Sequence, residues 1–273
     1  MLTEYQIKEK LLNEYGIKVT YMEFYRDVFP VGSFENSGEY EQGKANGILC
    51  SIKDRKGQNQ LIFDDLEEIE SHVDDDFVLL SPIAYFGKRR SAYNASLLYG
   101  MVFDLDDVGE EQLRWILERL DNPHFPRATY IVNSGFGLHL YYLFQKPIPL
   151  YKSIHKRLNA LKHEITRLIW NKYTSRIHVE NRQYQGIFQG FRMVGSCCKD
   201  RIHRVTAYRT GEKVNIEYLN QFVGEEYSIK SLDYESSLTL EQAKKKYPEW
   251  YEKRIVKGER RNGRWLIKRD LYD

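Results

Sequence analysis

Cysteine is scarce in this 273-residue chain. Three residues, two of them adjacent (Cys197, Cys198), cannot build a disulfide framework, and a cytoplasmic, reducing compartment is the expectation. Cys197, Cys198 and His203 lack a recognisable ligand spacing and Cys50 is remote, so zinc is not expected. No apolar run approaches the ~20 residues of a membrane span. The opening Met-Leu-Thr-Glu-Tyr-Gln-Ile-Lys lacks the apolar core of a signal peptide, so no membrane partner is expected. Internal repeats and low-complexity tracts are also missing. Net charge is small, +2 overall, but uneven: residues 244–269 hold eleven Lys/Arg against three acids, a net +8, which leaves −6 for the rest. A mildly acidic body with a basic tail points to contact with phosphates, although a solvated helix face would look the same.

What is present alternates between helical and extended periodicity. Residues 3–14 read as a short helix with Ile7, Leu11 and Leu12 on one side, and 17–25 and 45–53 as strands. Residues 60–76, ending in Asp74-Asp75-Asp76, read as a solvated acidic surface. Leu113, Ile116, Leu117 and Leu120 recur at helical spacing and stop at Asp121-Asn122-Pro123. Thr129–Asn133, the turn Ser134-Gly-Phe-Gly137 and Leu138–Phe144 form a β-hairpin. A longer helix is expected over about 151–170, with strands near 188–194 and 204–209. This order implies an α+β sheet domain with helices on one face. From about residue 239 the chain reads as a basic helical extension, and its end at Lys-Arg-Asp-Leu-Tyr-Asp suggests a longer parent protein.

The densest chemistry lies in Tyr99-Gly-Met-Val-Phe-Asp104-Leu-Asp106-Asp107. In a strand, Asp104 and Asp106 share one face while Met101, Phe103 and Leu105 face a core. Neighbouring like charges repel and are costly to desolvate. Mg²⁺ or Mn²⁺ resolves this by binding one or two carboxylates plus substrate phosphates. The alternative is an Asp-rich strand end that caps the next helix. In the hairpin, Ser134 and Gly135 form a turn whose backbone N–H groups can approach a phosphate, and His139 follows beside it; a core histidine between Leu138 and Leu140 is the other reading. Arg192, between Phe191 and Met193, could clamp a triphosphate or pair with a surface acid. Glu180 offers a third carboxylate or an ordinary surface glutamate. Lys88, Arg89 and Arg90 make a basic loop just before the Asp104 strand.

Together these elements resemble the archaeo-eukaryotic primase (primase–polymerase) superfamily, and in particular replication proteins of phage and plasmid mobile elements. Asp104-Leu-Asp106 matches its first motif, Ser134-Gly-Phe-Gly-Leu-His139 its second, and Glu180 the third acid, over roughly residues 80–210. Phe191-Arg192-Met-Val-Gly-Ser196 and the segment around Tyr247-Pro248-Glu249-Trp250-Tyr251 are also similar to such proteins.

The resemblance implies an RRM-like antiparallel or mixed sheet with packed helices, a catalytic domain over 1–238 and an extension or linker over 239–273. It implies a template-directed DNA primase/polymerase, a nucleotidyltransferase. Asp104, Asp106 and Glu180 would hold two metal ions, Mg²⁺ or Mn²⁺. Ser134, Gly135, His139, Arg192 and Lys199 would bind the incoming dNTP or NTP. Lys88, Arg89 and Arg90 would hold a single-stranded DNA template beside its primer, and a helicase or helical C-terminal domain is a possible partner. The family's third acid is usually aspartate, so Asp200 is the fallback for Glu180. Two other readings stand beside this one. A non-catalytic DNA-binding replication initiator of the same fold would bind DNA regardless of dNTP and metal. A rolling-circle nicking enzyme would want two alternating histidines on one strand, where Leu138-His139-Leu140-Tyr141 offers one.

Overall fold

Two threonines start the first two helices. Thr3 and Thr20 each accept from a backbone N–H three residues on, and Gln6 and Glu23 reach back to the cap, so α1 (Glu4–Tyr15) and α2 (Tyr21–Val28) both open on a capping box. The second box corrects the expectation of a strand over 17–25. Extended structure stops after β1 (Ile17–Val19), and Phe24, Tyr25 and Val28 become the buried face of a helix. The structure is a computed structural model and describes residues 2–53, 56–232 and 238–258.

The elements that follow are β2 (Ala45–Lys53), β3 (Lys56–Ile62), α3 (Glu67–Glu70), β4 (Val78–Leu80), β5 (Ile83–Phe86), β6 (Ala95–Leu105), α4 (Glu110–Leu117), β7 (Tyr130–Asn133), β8 (Leu138–Pro149), α5 (Lys152–Ile169), β9 (Phe191–Arg192), β10 (Thr206–Arg209) and α6 (Ile216–Asn220). The 60–76 stretch is therefore not simply a solvated surface: it holds the end of β3 and all of α3, and Ile62, Leu66 and Ile69 are fully buried. The strand expected near 188–194 contracts to two residues.

The fold is mixed α+β around a large antiparallel sheet. Strand order is β1-β10-β7-β8-β6-β5-β2-β4-β9, with β3 also paired to β2, and every ladder between these strands is antiparallel. Helices cover both faces, not one. On one side Met101, Phe103 and Leu105 of β6 join Leu113 and Ile116 of α4 and Leu158, Leu161 and Ile165 of α5. On the other, Val102, Tyr141 and Leu143 join Phe24 and Tyr25 of α2 and Leu49, Leu80 and Phe191 of the β2–β4–β9 region. The strict alternation along β6 feeds both cores, and each fully buried aliphatic side chain contributes about 1.5–3 kcal/mol. The ring of Phe191 lies 5.5 Å from that of His139, so β9 folds over the face that carries the candidate site.

The described residues beyond Leu232, 238–258, belong to a second unit. In it, α7 (Leu240–Lys246) opens on a Thr239 capping box and is followed by α8 (Pro248–Tyr251). Arg260, Arg261, Arg264, Lys268 and Arg269 of the basic tail lie outside the described residues. No described helix is long and apolar enough to cross a membrane.

Candidate active site

Asp104 is the penultimate residue of β6, and Asp106 stands one residue past the strand's end. Across the ladder, Asp104 pairs with His139 of β8, and His139 Nε2 lies 3.5 Å from Asp104 Oδ1. The imidazole is buried, and burial pushes its pKa below the ordinary value, against the pull of Asp104. Among the described residues its Nδ1 has no hydrogen-bond partner. The Asp106 carboxyl titrates above the usual range, first because it is half-buried and then because Asp104 sits beside it; the charge of Lys199 opposes this shift. Lys199 is exposed and bears on both Asp106 and His139.

The hairpin turn is pressed against the end of β6. Val108 N donates to Phe136 O at 2.9 Å. A Cβ on Gly137 would lie 2.4 Å from Leu105 O, so only glycine allows this approach. Gly135 has φ +100° and packs on Cys198, whose Cβ a side chain there would meet at 3.0 Å. Lys8, fully buried on α1, donates to the carbonyls of Val108 and Gly135, and burial lowers its pKa to about 8. One buried ammonium thus ties the carboxylate strand to the hairpin turn. Ser134 is buried, and the Gly135 N–H is engaged by Asn133 Oδ1 at 3.2 Å.

The other expected residues are placed less uniformly. Arg192 reaches the region as an electrostatic neighbour of His139, but its Nη1 donates to the carbonyls of Asp76 (3.0 Å) and Cys197 (3.1 Å), and its guanidinium lies over Phe77. Lys88 is exposed over the Tyr40 ring, and Arg89 is exposed. Arg90 is drawn inward instead, with Nη1 buried against Gly190 and, among the described residues, without a hydrogen-bond partner.

Glu180 is not brought to the aspartates. It sits in a short helical turn, Val179–Asn181, with its side chain 84% exposed and nearest to His178. Asp200 is taken up locally by the backbone of Ile202 and His203 and by the His203 ring. Among the described residues no three His, Cys, Asp or Glu side chains come close enough to hold a metal. The physical reason lies in how the 171–190 segment is moored. Ser175 Oγ donates to Asp106 O, and Arg176 N to Asp107 O. It is then Gln185, five residues past Glu180, whose Nε2 donates to Asp104 Oδ2 at 3.0 Å.

Sequence reasoning missed Gln185, Lys8 and Lys162. Lys162 of α5 is 1% exposed and donates to Gly186 O at 3.1 Å. Burial lowers its pKa to about 7, against the pull of Asp104. A glutamine in a polar loop and lysines on amphipathic helices carry no sequence signal of these contacts.

The donor set suits a hard divalent cation in part. Two carboxylates, one with its charged form destabilised by burial and by its neighbour, form a donor pair that Mg²⁺ or Mn²⁺ accepts when substrate phosphates complete the shell. A third protein carboxylate is not supplied by the described residues.

Searches of family models and of curated proteins returned no match. Among solved structures, the chain is similar to the AEP domain of the cyanophage S-2L primase-polymerase, with a TM-score of 0.46 and 13% identity over 66% of this chain and 89% of that one.

Proposed function

We propose that this chain is a nucleotidyltransferase of the primase–polymerase kind, which joins nucleotides on a DNA template. The observation that carries this reading is the convergence of Asp104, Asp106, His139 and Lys199 at one strand end, under a hairpin turn held by Lys8. Asp104 and Asp106 would hold a divalent cation, which when bound supplies positive charge to triphosphate oxygens and acidifies an attacking hydroxyl. Lys199 is exposed beside the pair and adds a cation for the same phosphates. Gln185 fixes the orientation of the Asp104 carboxylate. His139 is buried beside Asp104 and supports it through Nε2, and among the described residues its Nδ1 has no hydrogen-bond partner. Arg192, bound to two backbone carbonyls, shapes the wall of the site and acts on it through its charge.

The test is primer extension and de novo synthesis with Mg²⁺ or Mn²⁺ on a single-stranded template. Incorporation by the wild type and its loss in Asp104→Ala/Asp106→Ala supports the reading; equal activity in the two proteins refutes it.

One observation favours the second reading, a non-catalytic DNA-binding initiator: Glu180 faces solvent and no third carboxylate joins the pair among the described residues. That reading requires DNA binding indifferent to metal and dNTP. Tight metal-dependent dNTP binding refutes it.

A further inference from the structure

The turn that presses on the end of β6 holds an aromatic side chain that the fold itself does not use. Phe136 is 59% exposed, although the backbone around it is fixed at each residue. The Gly135 carbonyl accepts from buried Lys8, the Phe136 carbonyl accepts from Val108 N at 2.9 Å, and Gly137 lies too close to Leu105 O to admit a side chain. The turn also abuts Cys198, the residue before Lys199. An exposed phenylalanine on a mobile loop would be unremarkable. Here a large apolar ring is held in water by a clamped backbone, on a turn that packs against the end of the Asp104 strand and against Cys198, whose chain neighbour Lys199 is exposed. Bases of single-stranded nucleic acid stack on exposed aromatic faces beside groups that engage phosphates, here Lys199 and, through a bound divalent cation, the two carboxylates.

We propose that Phe136 is a nucleobase-stacking residue, which receives a base while the neighbouring charges engage the phosphates. This deepens the nucleotidyltransferase reading and rests on it. The base belongs either to the incoming nucleotide or to the template strand, and two binding measurements separate these sources. Full-length wild type, Phe136→Ala, Phe136→Leu and Phe136→Trp are titrated with dTTP and with inorganic triphosphate in Mn²⁺. They are also titrated with a labelled oligo(dT) strand and with an abasic strand of the same length.

The expected result is that Ala and Leu weaken binding of dTTP, or of oligo(dT), by about five- to a hundredfold, the range of base–aromatic stacking. Trp restores it, while triphosphate and the abasic strand bind all four proteins equally. A loss confined to dTTP assigns the incoming base, and a loss confined to oligo(dT) assigns the template base.

The proposal is overturned if Ala binds both base-bearing probes within twofold of wild type. It is also overturned if Leu serves as well as Phe, or if Ala weakens the base-free probes equally. If wild type binds dTTP and oligo(dT) no better than the base-free probes, stacking is refuted but phosphate binding at the carboxylates is not. If wild type binds none of the four probes, the nucleotidyltransferase reading itself falls.

Discussion

Lys162→Met removes an ammonium that α5 buries completely. The group has one hydrogen-bond acceptor, Gly186 O, and the rings of Phe103 and Phe191 lie 5.7 and 5.4 Å away. Its pKa falls from 10.5 to about 7 on folding, because burial disfavours the charge. Between those values the unfolded chain holds a proton that the folded chain has released, so stability rises with pH across that window. From pH 6 to pH 9 the rise attributable to this lysine is about 2.5 kcal/mol. The methionine variant lacks it and also leaves Gly186 O without its donor, a loss of about 1–3 kcal/mol.

The variant should therefore be close to wild type near pH 6 and fall behind it by a few kcal/mol at pH 9. Urea unfolding of both proteins at intervals across this range reads the difference directly. Lys8 contributes a smaller slope of the same sign. The Cys198 thiol, raised to about 12, contributes the opposite slope above pH 9; both cancel in the comparison. Two stability curves that stay parallel from pH 6 to 9 would refute the burial of a titrating ammonium at this position.

Gly137→Ala places a Cβ 2.4 Å from Leu105 O, so the turn must move by most of an ångström. Differential unfolding should show about 1–3 kcal/mol of destabilisation, and nucleotide incorporation should fall by about 100-fold, as expected for misplacement approaching 1 Å. Because burial and Asp104 hold the Asp106 carboxyl above its ordinary value, Mn²⁺ affinity followed by electron paramagnetic resonance should decline with acidification at a higher pH than an isolated aspartate would give. Asp104→Asn should move that Asp106 transition downward while weakening the affinity itself. Glu180→Ala should leave Mn²⁺ affinity within twofold of wild type, since the side chain faces solvent, whereas Gln185→Ala should weaken it by freeing the Asp104 carboxylate.

Much of this architecture was legible in the sequence because local signals and tertiary packing agree there. The Leu113–Leu117 spacing, the 151–170 helix, β2 and the Ser134–Gly137 hairpin all carry periodicities or turn residues that the fold preserves. The Asp104/Asp106 pair announced itself as charge inside an apolar strand, and the structure places Lys199 and His139 around it. Sequence and structure diverge where composition points away from capping and burial. Thr20 and Glu23 form a helix start inside what reads as a strand. The acids of 60–76 surround Ile62, Leu66 and Ile69, whose three side chains reach the core. Helices on both faces follow from the alternation in β6, because Val102 needs a core as much as Phe103 does. Glu180 could not be judged from sequence, since its position depends on Ser175 and Arg176 mooring a distant loop to Asp106 and Asp107. The same long-range mooring brings Gln185 to Asp104 and gives it no motif of its own.

The most direct test is metal-dependent incorporation of a labelled nucleotide on a primed single-stranded template, with wild type and Asp104→Ala/Asp106→Ala purified side by side and both shown to be folded. The account predicts incorporation by the wild type with Mg²⁺ or Mn²⁺ and none above background in the double variant. Incorporation undiminished in the double variant, or none by the wild type under conditions in which it binds template and nucleotide, would contradict it.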